Sequence, residues 1–188
     1  MTADVSPARA SGQFDGHLVL VGLPGSGKST VGRAVSARLQ RPFLDFDAEL
    51  ERREDRSVAR IFAELGEPAF RDMEVSLTRE LAAAPPMVLA PGGGWVANVG
   101  AIELLRPPAR LVHLRVSPAE ALRRLARARI VRPLLQGDDP QSTLERIWKQ
   151  RAALYARADL EIDVELVDPQ RVIDDVVALA CDLTWGLG

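Results

Sequence analysis

The segment Gly22-Leu23-Pro24-Gly25-Ser26-Gly27-Lys28-Ser29 carries the spacing G-x-x-x-x-G-K-[ST]. It stands between an apolar run, His17 to Val21, and a stretch of helical periodicity, which is the setting a phosphate cradle requires. Glycines let the backbone wrap an anion with its N–H groups turned inward, where a Cβ would block the dihedrals or the approach. The helix that begins near Lys28 adds its positive dipole end. Lys28 can then place a point charge on the β- and γ-phosphates, and the Ser29 hydroxyl suits Mg²⁺. A structural turn has no use for a lysine and a hydroxyl at that spacing, so ATP or GTP is the expected ligand. No N-K-x-D guanine reader follows, and a small kinase accounts for the chain more economically than a switch NTPase.

A kinase needs an acceptor site. Asp45-Phe46-Asp47 ends the second apolar run, and strand alternation sets both carboxylates on one side, at the sheet end that faces ligands in open α/β folds. One carboxylate there could hold a metal's water shell and the other accept a proton from a hydroxyl. The plain alternative is that both cap the next helix. Arg71 and Glu74 lie three apart, close enough on a helix to pair and to hold a guanidinium fork for a carboxylate, though such pairs are also common on solvated faces. Pro91-Gly92-Gly93-Gly94 follows the third apolar run. Three glycines there cost backbone entropy, which points either to a ligand pressed against bare backbone or to a tight turn. Arg123, Arg124, Arg127, Arg129 and Arg132 crowd ten residues. Most are expected in solvent, with Arg132, just ahead of Pro-Leu-Leu, best placed to reach a transferring phosphate. Arg151, on the helix beyond, could reach the same crevice.

These residues need a frame. The chain has 188 residues, 47% hydrophobic and 27% charged, which fits one globular domain with a full core. A net charge of −2 gives no reason to expect a nucleic-acid or membrane partner. One cysteine, Cys181, rules out an intrachain disulfide and a cysteine zinc site. His17 and His113 sit alone in apolar runs and are expected to pack. Strands are expected at His17–Val21, Pro42–Phe46, Met87–Ala90, Ala109–Val116 and Leu160–Val164, separated by helical sequence, an α/β order. Ser57 begins a helix that Gly66 ends or bends. Ser117-Pro118-Ala119-Glu120 and Ser142-Thr143-Leu144-Glu145 read as capping boxes, with a mobile loop from Arg127 to Gln141 between them. Pro169 opens a last helix. Residues 1–16 and 183–188 are expected as flexible tails around a domain spanning 17–182.

GLPGSGKST, DFD, FRDME, the triple glycine, RPLL and the R-x-x-L-Y helix stand in the order and approximate spacing of shikimate kinases, which the chain resembles over residues 17–182. The resemblance implies a three-layer αβα fold with a five-stranded parallel sheet of order 2-3-1-4-5 and a lid near 127–141. It implies ATP and Mg²⁺ as cofactors, with shikimate phosphorylated at its 3-hydroxyl. On that basis Gly25, Ser26, Gly27, Lys28, Ser29, Thr30 and Arg132 would hold the nucleotide, and Ser29 and Asp45 the metal. Asp47, Arg71, Gly92, Gly93, Gly94 and Arg151 would hold the acceptor, with Lys28, Asp47 and Arg132 catalytic. A cytoplasmic monomer is expected. Trp95 stands where the family carries a small residue, so its indole either lines the acceptor pocket or packs beside it. Val164 and Glu165 stand where Thr and Asn are usual near the adenine. The alternatives are a ligand-sensing domain without catalysis, or a kinase for another polyol acid such as gluconate.

Overall fold

In a computed structural model, which describes residues 14–128, 135 and 139–182, five short strands form one parallel sheet. They are β1 Leu18–Val21, β2 Phe43–Asp45, β3 Val88–Ala90, β4 Arg110–Arg115 and β5 Leu160–Asp163, in the order β2-β3-β1-β4-β5. In register, Leu18 faces Val88 on one side and Arg110 on the other. The continuous apolar runs are buried because parallel strands are covered on both faces by their crossover helices. Val19, Val21, Leu89 and Leu111 point into one core layer. Leu18, Leu20, Val88, Val112 and Leu114 point into the other. The α/β order and the sheet order are therefore as expected.

Helices α1 Lys28–Leu39 and α7 Pro169–Cys181 cover the second layer, and α3 Val58–Ala82 and α4 Ala101–Leu105 the first. Also present are α2 Phe46–Glu54, α5 Pro118–Arg127, α6 Pro140–Tyr155 and a 3-10 turn at Trp95–Ala97. Ser117 caps α5 by accepting from the Glu120 N–H, with Pro118 in its first turn, as the capping box predicts. Gly66, at φ 82° and ψ 168°, leaves the helical region and sets the kink at which two helical stretches of α3 meet. His17 and His113 are buried, as expected for packed rings. No helix among the described residues is long and apolar enough to cross a membrane.

Two local expectations are corrected. The second strand stops at Asp45, whose side chain caps α2 by accepting from the Ala48 N–H, so Asp47 sits in the first turn of a helix and not on a strand. The two carboxylates gather by helix capping, not by strand alternation. The Ser142 box does not start α6. Asp139 is the cap, accepting from the Ser142 N–H, with Pro140 in the first turn, so Ser142 lies inside the helix. Of the loop expected at 127–141, most lies outside the described residues, as does Arg132.

Candidate active site

The crevice opens at the carboxyl end of β1, β2 and β3. Gly27 caps α1 at φ 95°, a left-handed conformation that only glycine takes without strain, and a Cβ there would project into open space. A Cβ on Gly25 would strike the Ala121 carbonyl oxygen at 2.6 Å. The turn therefore keeps its curve and its N–H groups bare around a cavity of about 420 Å³. Gly25, Ser26, Gly27, Lys28, Ser29 and Thr30 all line it, together with Asp45, Asp47, Gly92 and Gly93. The nucleotide set foreseen in the sequence is thus brought together, apart from Arg132.

Lys28 lies folded back, its Nζ donating to the Gly22 carbonyl at 2.9 Å and the Leu23 carbonyl at 3.0 Å. The Ser29 hydroxyl donates to Asp45 Oδ2 at 2.5 Å. A hydroxyl and a carboxylate at this separation are hard oxygen donors of the sort Mg²⁺ takes alongside water and phosphate oxygens, so the residues fit that ion. Among the described residues there is no group of three His, Cys, Asp or Glu that could hold a metal by itself.

A smaller space adjoins the first and shares Pro24, Asp47, Gly92 and Gly93 with it. Its remaining walls are apolar, from Val58, Phe62, Phe70, Leu135 and Ile147, and it receives two guanidiniums, Arg71 and Arg151. Arg71 comes from α3, where it reaches forward to Glu74 Oε2 and back to Glu67 Oε1, each at 2.7 Å. Its guanidinium also lies 5.6 Å from the centre of the Phe70 ring. Glu74 is fully buried and takes a second bond, 3.0 Å, from the Asn98 amide. Burial above all pushes the Glu74 carboxyl upward, Arg71 and Asn98 oppose that, and the nearby Asp47 adds to it. Arg151, on α6, donates from Nη1 to the Gly93 carbonyl at 2.7 Å.

The triple glycine is what lets these groups converge. A Cβ on Gly92 would lie 2.8 Å from Glu74 Oε1 and 3.0 Å from Asp47 Oδ1. One on Gly94 would meet the Arg71 guanidinium, and one on Gly93 the Pro24 ring. The acceptor set foreseen in the sequence, Asp47, Arg71, Gly92, Gly93, Gly94 and Arg151, is assembled around one space. Trp95 does not line it: the indole is fully buried, lies edge-on to Phe46 and donates to the Thr78 hydroxyl at 2.8 Å.

Two contributors escaped the sequence, and a third was read only in part. The pairing of Glu74 with Arg71 is as expected, but Glu74 is a buried anchor and not a solvated partner. Asn98 completes that anchor. Arg124, grouped with the solvated arginines, lines the larger cavity, pairs with Glu120 and donates to the Val164 carbonyl at 2.9 Å. Val164, Val167, Pro169 and Val172 form an apolar wall beside it.

Known proteins match this frame. The sequence model of the shikimate kinase family matches residues 24–180. A shikimate kinase of Chromohalobacter salexigens is 40% identical over 161 residues, which is 85% of this chain and 89% of that protein. The solved shikimate kinase of Acinetobacter baumannii in complex with shikimate superposes with a TM-score of 0.82 at 33% identity, covering 89% of this chain and 93% of that one. A gluconokinase from Sinorhizobium meliloti superposes with a TM-score of 0.61 at 20% identity, over 93% of this chain and 97% of that one, a likeness of fold alone.

Proposed function

The chain belongs to the shikimate kinase family, and on that premise we propose that it transfers the γ-phosphoryl group of ATP to the 3-hydroxyl of shikimate, giving shikimate 3-phosphate and ADP. The observation that carries this reading is the convergence of Arg71 and Arg151 on one small space that shares Asp47, Gly92 and Gly93 with the phosphate cradle. Two guanidinium forks suit a carboxylate. An acid gripped there would lay its hydroxyls against Asp47 and the bare glycine backbone. A nucleotide acceptor has no need of such a clamp.

Phosphoryl transfer asks for positioning and charge neutralisation more than for covalent catalysis. Asp47 stands where the acceptor hydroxyl would enter, and its carboxylate would accept the hydroxyl proton as the oxygen bonds to phosphorus. Lys28 would leave its two backbone carbonyls and place its charge on the transferring group. Gly25, Ser26, Gly27 and Thr30 would hold the triphosphate by N–H groups and hydroxyls. Ser29 and Asp45 would hold Mg²⁺, which when bound supplies positive charge to the phosphate oxygens. Arg132, in the segment 127–141 read as a lid, would add a guanidinium to the leaving phosphates. Arg124 and the wall from Val164 to Val172 are suited to the base. We read the protein as a cytoplasmic monomer, and a single cysteine agrees with a reducing compartment.

A coupled assay of ADP release across shikimate, gluconate and nucleoside monophosphates, each with ATP and Mg²⁺, tests this. Turnover with shikimate at least a hundredfold above the other acceptors supports the assignment. Equal or greater turnover with gluconate would overturn it.

A further inference from the structure

One polar atom beside the proposed clamp has no task in the arrangement so far. Tyr155 ends α6 one helical turn after Arg151 and is 2% exposed. Its hydroxyl has no well-aligned hydrogen-bond partner among the described residues, though the Arg151 guanidinium lies close enough to act on it. A buried hydroxyl without a partner is costly, and phenylalanine would fill the same space without that cost. The ring itself is firmly held. It stacks on His113 with centroids 4.4 Å apart and planes 9° from parallel, and His113 Nδ1 lies 2.9 Å from Glu161 Oε2 on β5. Burial foremost lowers the His113 pKa below its ordinary value, against the pull of Glu161. Helical side chains lean toward the N-terminus, which carries the phenol toward the turn that bears Arg151.

We propose that Tyr155 is a positioning residue for the acceptor's carboxylate: its phenol oxygen accepts a hydrogen bond from the Arg151 guanidinium when that side chain grips the acid, fixing the plane of the fork. A guanidinium has five N–H groups. Arg151 gives one to the Gly93 carbonyl, a bidentate carboxylate takes two, and the phenol oxygen takes one of the rest. The polar influences on this phenol agree: burial foremost pushes its pKa up, and the charge and N–H groups of Arg151 draw it back down. Glu161, His113 and Tyr155 thus form a stiff wall from the sheet edge to the clamp. This proposal deepens the shikimate kinase reading and rests on Arg151 as a carboxylate ligand.

The test compares Tyr155→Phe, Arg151→Ala and the double variant, with steady-state kinetics for both substrates, calorimetric titration of shikimate and thermal melting. Tyr155→Phe is expected to raise the shikimate KM and Kd about tenfold, the worth of one hydrogen bond to a charged group. The ATP KM and kcat stay within about twofold, the melting temperature is kept or rises as the buried hydroxyl is removed, and the double variant is no worse than Arg151→Ala. A shikimate KM and Kd unchanged in Tyr155→Phe, while Arg151→Ala raises both, overturns the positioning role alone. A double variant about tenfold worse than Arg151→Ala also overturns it, since Tyr155 would then act without Arg151. If Arg151→Ala itself leaves shikimate binding unchanged, the carboxylate clamp fails and the proposal with it.

Discussion

Gly94 gauges the space around Arg71. Its backbone, at φ −88° and ψ −15°, is open to any L-residue, so an alanine there would suffer no dihedral strain. The added methyl would instead sit closer than 3.0 Å to Cζ, Nη1 and Nη2 of Arg71. Ordinary contact requires the guanidinium to retreat by roughly 1 Å. That stretches the 2.7 Å bond to the buried Glu74 carboxylate beyond hydrogen-bond range. Glu74 Oε1 has no hydrogen-bond partner among the described residues, so the loss falls on a carboxyl whose remaining bond comes from Asn98. One charge-assisted bond is worth about 1.5–3 kcal/mol, and about 1.4 kcal/mol is a factor of ten. Gly94→Ala should therefore raise the shikimate KM roughly ten- to a hundredfold in a coupled ADP-release assay and leave the ATP KM within about twofold. Melting should fall by about 3–12 °C at the usual rate for a chain of this size. In an Arg71→Ala background the same alanine should cost nothing further. A folded Gly94→Ala protein with a wild-type shikimate KM would refute the reasoning, because Arg71 would then have been shown to swing aside without loss.

Lys28→Met should lower kcat by a factor on the order of a hundred to a thousand while melting is retained, since the lost charge acts on developing phosphate charge; a near-normal kcat would sink the role given to this lysine. Stability should also depend on pH through His17, whose Nε2–H donates to the Leu81 carbonyl at 2.9 Å and whose Nδ1 accepts from the Met87 N–H at 3.1 Å. Burial foremost lowers its pKa below the ordinary 6.5, the Leu81 carbonyl opposing and Arg41 assisting. The unfolded chain then takes up the proton first on acidification, so this stabilisation is complete above pH 6.5 and is lost as the pH falls toward the folded value. Melting temperatures between about pH 7.5 and 5.5 should decline, and less steeply in His17→Gln; an equal slope in both proteins would place the pH dependence elsewhere.

What could be read in the sequence follows from where burial is two-sided. The strands were legible because runs such as Leu18–Val21 are short, continuous and apolar, the pattern of a strand covered on both faces, and are buried at every position. Helix α2 was not, since in FDAELERRE only Phe46 and Leu50 are buried and the rest, Ala48 apart, is charged. That hidden helix is also why Asp45 and Asp47 were paired by the wrong geometry. At α6 two cap signals competed, and Asp139-Pro140 prevailed because proline presets the first helical turn. Spacing showed that Arg71 and Glu74 could meet, yet spacing carries no information on depth. The burial of Glu74 is set by α3 packing against the segment that bears Asn98, a contact between distant parts of the chain. Arg124 escaped for the same reason, its neighbour Val164 lying forty residues on.

The strand order has a consequence for how such a protein can diversify. The loops that follow β2 and β3, with Asp45, Asp47 and the glycines, occupy one half of the sheet, while Arg124 and the apolar wall after β5 occupy the other, and β1 with its glycine turn runs along the seam. On the proposed function, recognition of the recipient and recognition of the donor would therefore fall to separate territories meeting at a shared border. Remodelling the β2 and β3 side, with the arginine that α6 lends to it, can exchange one recipient for another and leave the nucleotide half undisturbed.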